Sequence, residues 1–83
     1  MNKMYYVYII QSVLFQKQIY TGFSENIDER LDEHNCGKSV HTNKFKPWKL
    51  ICYVSFCDKQ KALDLERYLK TASGIAFRNK RLI

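Results

Sequence analysis

The sequence of 83 residues predicts an α+β fold, a small three-stranded antiparallel sheet with helices packed against it. Three observations carry this. Two segments rich in aromatic and β-branched residues, Tyr5 to Gln11 and Ile19 to Phe23, are too close in sequence for anything but an antiparallel hairpin. A third such segment, Trp48 to Phe56, follows Pro47. Between and after these lie two segments with apolar residues at helical spacing, giving the order β-β-α-β-α.

The elements follow in turn. Gln16-Lys17-Gln18 interrupts the apolar pattern and turns the chain between the first two strands. Gly22, inside the second strand, signals a close approach by another group. Asn26 is suited to cap the first helix, with Glu29 three residues on and acids in the first turn. That helix is expected to end near Asn35, with Gly37 as a left-handed C-cap. Lys38 to Lys46 is a polar, basic loop. Asp58 caps the second helix, expected to run to about Ala72. Ser73-Gly74 reads as its break, and Ile75 to Leu82 as a basic tail with room for a short final helix.

Composition bounds the function. The length suits one domain spanning 1–83, and 46% hydrophobic with 14% aromatic residues supports a modest core and excludes a disordered chain. No apolar run approaches the roughly 20 residues that span a bilayer, so no membrane partner is expected. The N-terminus lacks the apolar core and cleavage site of a signal peptide, and a cytoplasmic address is expected. Cys36, Cys52 and Cys57 are odd in number and form no C-x-x-C pair, which argues against a disulfide framework. Nothing in their spacing relative to His34 and His41 suggests zinc. The net charge of +6 is unevenly spread: residues 1–36 carry −2 and residues 37–83 carry +8. That asymmetry suggests a polyanion-binding surface in the second half, against the plainer reading of a solvated basic face.

Two charges break the amphipathic pattern. Ile27, Leu31 and His34 define the inward stripe of the first helix, and Arg30 lies on that stripe. Ala62, Leu65 and Leu69 mark the inward face of the second helix, and Glu66 lies on it. Burying an unpaired carboxylate is costly. Either Arg30 and Glu66 pair with each other or reach the rim, or they belong to a site. Strand alternation puts Tyr6 and Tyr8 on one face of the hairpin, and Tyr20 shares a face with Gly22. An aromatic core accounts for the tyrosines alone. Tyrosine, arginine and an acid converging on a basic surface are also the parts for cutting a phosphodiester.

With those residues in hand, the chain resembles the GIY-YIG nuclease superfamily. Tyr6-Val7-Tyr8 stands where the family has its first tripeptide, and Tyr20-Thr21-Gly22 stands at the second. Arg30 in Asp28-Glu29-Arg30-Leu31 matches the family's catalytic arginine, His34 a histidine one turn later, and Glu66 the metal-binding glutamate. Lys46-Pro47-Trp48-Lys49-Leu50 resembles the start of the third strand in small members. The resemblance covers about Met4 to Leu82 and is closest to small stand-alone members related to the catalytic module of the excision-repair nuclease. There are departures. Tyr6 replaces the first glycine of the signature, Thr21 fills the middle of the second tripeptide, and Phe23 stands where some members carry a lysine. Asn79 is a candidate counterpart of an asparagine that some members use.

The resemblance implies a metal-dependent endonuclease acting on DNA, directed by DNA structure or by a protein partner, in repair or recombination. It implies catalysis by Tyr8, Tyr20, Arg30, His34 and Glu66, with Glu66 holding Mg²⁺ and Mn²⁺ as a substitute. Tyr8 is the favoured base and Tyr20 its positioning partner. Lys38, Lys44, Lys46 and Lys49, with Lys70, Arg78, Lys80 and Arg81 as a second strip, are expected to follow the DNA backbone without reading sequence. Two rival readings use the same charge: a catalytically inactive nucleic-acid-binding module, and an adaptor for an acidic protein partner. Binding alone needs no inward glutamate, which favours the nuclease.

Overall fold

The computed structural model describes residues 3–83. The elements are β1 (Tyr5–Ser12), β2 (Ile19–Ser24), α1 (Ile27–Asn35), a 3-10 turn (Asn43–Phe45), β3 (Trp48–Phe56), α2 (Lys59–Tyr68) and α3 (Ala72–Arg81). The sheet is antiparallel throughout, in the order β2-β1-β3, so β1 is central. Tyr8 lies opposite Gly22 on one side and Tyr53 on the other. The β1–β3 register slips after Ile9: Ile9 faces Cys52 and Ile10 faces Leu50, which leaves Ile51 as the extra residue of a bulge.

Alternation along β1 separates two packed clusters. Val7 and Ile9 meet Ala62 and Leu69 on the side covered by α2. Tyr8 and Ile10 meet Trp48 on the opposite side, against Ile27 and Leu31 of α1. Each fully buried aliphatic side chain contributes roughly 1.5–3 kcal/mol. The helix starts form as their sequences require. The Asn26 side chain accepts from the Glu29 amide, and the Asp58 carboxylate accepts from the Gln60 and Lys61 amides. The Asn26 amide is satisfied by Ser24 Oγ at 2.9 Å, so Ser24 completes the N-terminal turn. Gly37 follows α1 with φ of 80°, as its C-capping role requires.

The last third departs from expectation. The second helix was expected to reach Ala72, yet α2 ends at Tyr68, and Ala72–Arg81 forms a full ten-residue α3. The stop comes from Thr71. Its hydroxyl donates to the Tyr68 carbonyl at 2.7 Å and accepts from the Gly74 amide at 3.1 Å, ending one helix and capping the next. Ser73-Gly74 therefore opens α3 rather than breaking α2. Gly74 is required for close approach, because a Cβ there would overlap the Tyr68 carbonyl. No helix among the described residues is long and apolar enough to cross a membrane.

Candidate active site

Tyr8 sits at the middle of the central strand and is only 2% exposed. Its ring lies over Gly22, where a Cβ would overlap the phenol oxygen. Tyr8 itself is thus the close approach that the strand glycine signalled. The Tyr8 hydroxyl is 2.8 Å from Nε2 of His34. His34 comes from the last turn of α1 and is completely buried. Its Nδ1 lies 2.6 Å from Oγ1 of Thr42. Tyr20, from the edge strand β2, closes the aromatic cluster with ring centroids 6.5 Å from Tyr8 and 5.3 Å from His34.

Burial and charge set the protonation states. Burial pushes the Tyr8 phenol up to about 12; the Arg30 guanidinium pulls it down, while Tyr20 and Glu66 push it further up. Burial lowers the His34 imidazole, Arg30 lowers it further, and Glu33 opposes them. His34 is therefore a neutral imidazole with one N–H near neutral pH.

Arg30 and Glu66 do not pair with each other. Arg30 Nη1 contacts Glu33 Oε1 at 2.8 Å within α1, and Lys70 Nζ contacts Glu66 Oε2 at 2.8 Å at the end of α2. Glu33, three residues after Arg30 on α1, is the arginine's partner and raises its already high pKa. Both Arg30 and Glu66 nevertheless act on the Tyr8 hydroxyl. Lys70 Nζ also stands 5.5 Å from the Tyr20 ring centroid. Lys70 was assigned to the outer basic strip; here it bridges Glu66 and Tyr20 at the site. Tyr8, Tyr20 and His34 thus pack together, and the charges of Arg30 and Glu66 bear on the Tyr8 phenol in opposite directions.

The remaining basic residues lie outside this cluster. Lys38, Lys44, Lys46 and Lys49 are exposed on the loop and the start of β3, and Lys80 and Arg81 are exposed at the end of α3. Arg78 donates from Nε and Nη2 to Asn79 Oδ1 at 3.1 and 3.0 Å, so the partner of Asn79 is its neighbour.

The family profile for the GIY-YIG catalytic domain matches residues 4–80. The chain belongs to the GIY-YIG family. It is an endonuclease domain of the GIY-YIG type. Among its relatives is a UPF0213 protein of Lactiplantibacillus plantarum, 34% identical over 77 residues, covering 89% of this chain and 74% of that protein. A UPF0213 protein of Streptococcus pyogenes serotype M3 is 32% identical over 70 residues, covering 83% and 74%. The structure-specific endonuclease subunit SLX1 of Debaryomyces hansenii is 38% identical over 73 residues, covering 80% of this chain and 21% of that longer protein. In this GIY-YIG domain the residue in place of the first signature glycine, Tyr6, packs edge-on against Tyr53 across the strand pair at 5.9 Å.

Two residues of the candidate site were not foreseen there. Thr42 lies in the basic loop, where no periodicity distinguishes inside from outside, yet it is 1% exposed and bonded to His34. Lys70 is four residues after Glu66, a spacing that favours a helical ion pair, and that was its one available signal. Shallow surface concavities lie beside α1. One of about 410 Å³ is lined by Tyr6, Glu25, Asn26, Ile27, Asp28, Leu50 and Tyr53, and its carboxylates make it unsuited to phosphate.

Proposed function

We propose that this domain hydrolyses DNA phosphodiester bonds with a divalent metal, using Tyr8, Tyr20, Arg30, His34 and Glu66. The observation that carries the reading is the 2.8 Å contact between the Tyr8 hydroxyl and His34 Nε2; the charges of Arg30 and Glu66, which bear on the Tyr8 phenol, support it. A tyrosine held near 12 is a poor standing base at neutral pH. A relay avoids that difficulty. Tyr8 takes a proton from the attacking water as its own proton passes to His34 Nε2. The water oxygen bonds to phosphorus, the bond to the leaving oxygen breaks, and that oxygen is protonated from solvent. Tyr20, less buried, orients the water.

Arg30 exchanges Glu33 for the scissile phosphate. Both side chains of that pair are about one-third exposed, and such pairs are worth about 0–1 kcal/mol, so the exchange costs little. The guanidinium fork then spans two phosphate oxygens. The donor set suits Mg²⁺. Glu66 is a hard oxygen ligand that already faces a cation, and no group of three metal-ligating side chains gathers among the described residues. A cation that keeps most of its water and takes phosphate oxygens needs no more than this. Bound there, Mg²⁺ or Mn²⁺ supplies charge neutralisation at the leaving oxygen.

Lys38, Lys44, Lys46 and Lys49, with Arg78, Lys80 and Arg81, follow the DNA backbone, and binding weakens as salt rises. These contacts carry no sequence information, so DNA structure or a protein partner directs cleavage, in repair or recombination. Similarity to a structure-specific endonuclease subunit supports that choice.

The test uses single-stranded, duplex, flap and branched DNAs with Mg²⁺ and with Mn²⁺, comparing the unaltered protein with Glu66→Gln. We expect metal-dependent cleavage that collapses in Glu66→Gln while DNA affinity and melting temperature hold. Unchanged cleavage in a folded Glu66→Gln protein would refute the assignment. Lost stability with retained cleavage would make Glu66 a structural partner of Lys70.

A further inference from the structure

We propose that Thr42 is a positioning residue: its hydroxyl oxygen accepts the Nδ1–H of His34 and so holds the imidazole in the tautomer whose bare Nε2 receives the Tyr8 proton. The inference rests on the catalytic reading of Tyr8 and His34 and adds what orients them.

Thr42 is almost fully buried in a loop whose neighbours Asn43 and Lys44 are exposed. Its one methyl group gains little from that burial, and a buried hydroxyl needs a partner. Its Oγ1 lies 2.6 Å from His34 Nδ1. The residue is fixed on every other side. Its amide donates to the Ser39 carbonyl at 3.2 Å. Its own carbonyl accepts Nε1–H of buried Trp48 at 2.8 Å. Trp48 is held in turn by Asn35, which receives the Trp48 amide at 2.5 Å and donates to its carbonyl at 3.1 Å. Asn35 follows His34 in α1. The hydrogen bonds therefore form a closed circuit, from His34 through Thr42 and Trp48 to Asn35 and back along the helix. A circuit of this kind tethers the acceptor on Nδ1 to the same helix that carries the imidazole.

The chemistry of the two hydroxyls sets the polarity. A neutral imidazole has one N–H and one bare nitrogen, each here facing a hydroxyl. A phenol is far more acidic than an aliphatic alcohol and is the better donor. The alcohol oxygen, being more basic, is the better acceptor. Tyr8 therefore donates to Nε2, and Nδ1–H donates to Thr42. The opposite arrangement would make His34 a donor to Tyr8 and unable to accept its proton.

The test is nitrogen-15 magnetic resonance of the full chain with labelled histidine, assigned with His41→Gln, since His41 is exposed. It is paired with single-turnover cleavage and DNA affinity. The unaltered protein should show the proton on Nδ1 of His34 and an acceptor signal at Nε2. Thr42→Val keeps the shape but removes the acceptor. It should lose the Nδ1–H preference and cut about 10–100-fold more slowly, by analogy with partners that orient metal-ligating histidines, with unchanged DNA affinity. Thr42→Ser should restore both readouts. A proton on Nε2 in the unaltered protein overturns the proposal. So does slowed cleavage in Thr42→Val with the tautomer unchanged, or full cleavage with the tautomer reversed. If Thr42→Val does not fold, the spectra of the unaltered protein and Thr42→Ser decide. If no DNA is cut at all, the nuclease reading fails, while the spectra still judge the tautomer.

Discussion

The two sides of strand β1 differ in what holds them. Val7 and Ile9 face α2 and meet Ala62 and Leu69, an apolar cluster in which volume is the main requirement. Tyr8 and Ile10 face α1, where His34 and Thr42 are buried beside them with polar atoms that each need a particular partner. Among the described residues no buried side-chain nitrogen or oxygen lacks one. One strand thus supplies both environments by alternation. The apolar side tolerates exchange of side chains, whereas the polar side is specified atom by atom.

The contrast can be broken by substitution, and the largest effect should come from the polar side. Tyr8→Phe keeps the ring but removes the hydroxyl, and cleavage should fall by about 10²–10⁴, the usual contribution of a general acid–base group. Its melting temperature should also fall, because Nε2 of a buried histidine is left without a partner at a cost of about 1–3 kcal/mol. Full activity in Tyr8→Phe would reduce the polar side to packing. On the apolar side, Leu69→Ala should cost about 2–5 kcal/mol in denaturant unfolding. Cleavage per folded molecule should be unchanged, and a proportionate loss of both would erase the distinction.

Smaller effects sharpen it through pH. The folded protein holds the Tyr8 proton up to about 12, whereas an unfolded tyrosine releases it near 10. Stability should therefore decline as pH rises from about 10 towards 12. Burial lowers His34, so below about 6.5 the unfolded chain takes up a proton that the folded chain refuses, and stability should decline as pH falls. Tyr8→Phe should remove its share of the alkaline loss and leave the acid loss in place; an unaltered alkaline limb would place its origin elsewhere. The smallest effect concerns the helix caps. Asp58→Ala and Asn26→Ala should each cost about 1 kcal/mol in thermal unfolding. Both should also slow cleavage modestly, since α1 carries Arg30 and His34 and α2 carries Glu66.

Much of this arrangement was legible in the sequence. The strand alternation of Tyr8, the inward stripe of Ile27, Leu31 and His34, and the caps Asn26 and Asp58 all follow from short-range geometry, and the fold obeys them. Ser73-Gly74 misled because small flexible residues mark breaks and close approaches alike; at Gly74 the approach is that of the Tyr68 carbonyl. The partners of Arg30 and Glu66 were open because several residues on each helix lay within reach, and the choice of Glu33 and Lys70 depends on side-chain placement. Thr42 was hidden for a different reason. Its burial is imposed by residues distant in sequence, above all Trp48, and a loop carries no period from which to infer that.

The strand order has a kinetic consequence. Tyr8 belongs to a central strand with neighbours on both sides, whereas Tyr20 belongs to the edge strand β2. In amide hydrogen exchange, the central strand should open only with global unfolding, while the edge strand can open by itself. The two tyrosines would then keep different clocks. On the proposed reading, the sheet can thus yield at its edge to a bulky polyanion while the strand that carries Tyr8 stays closed.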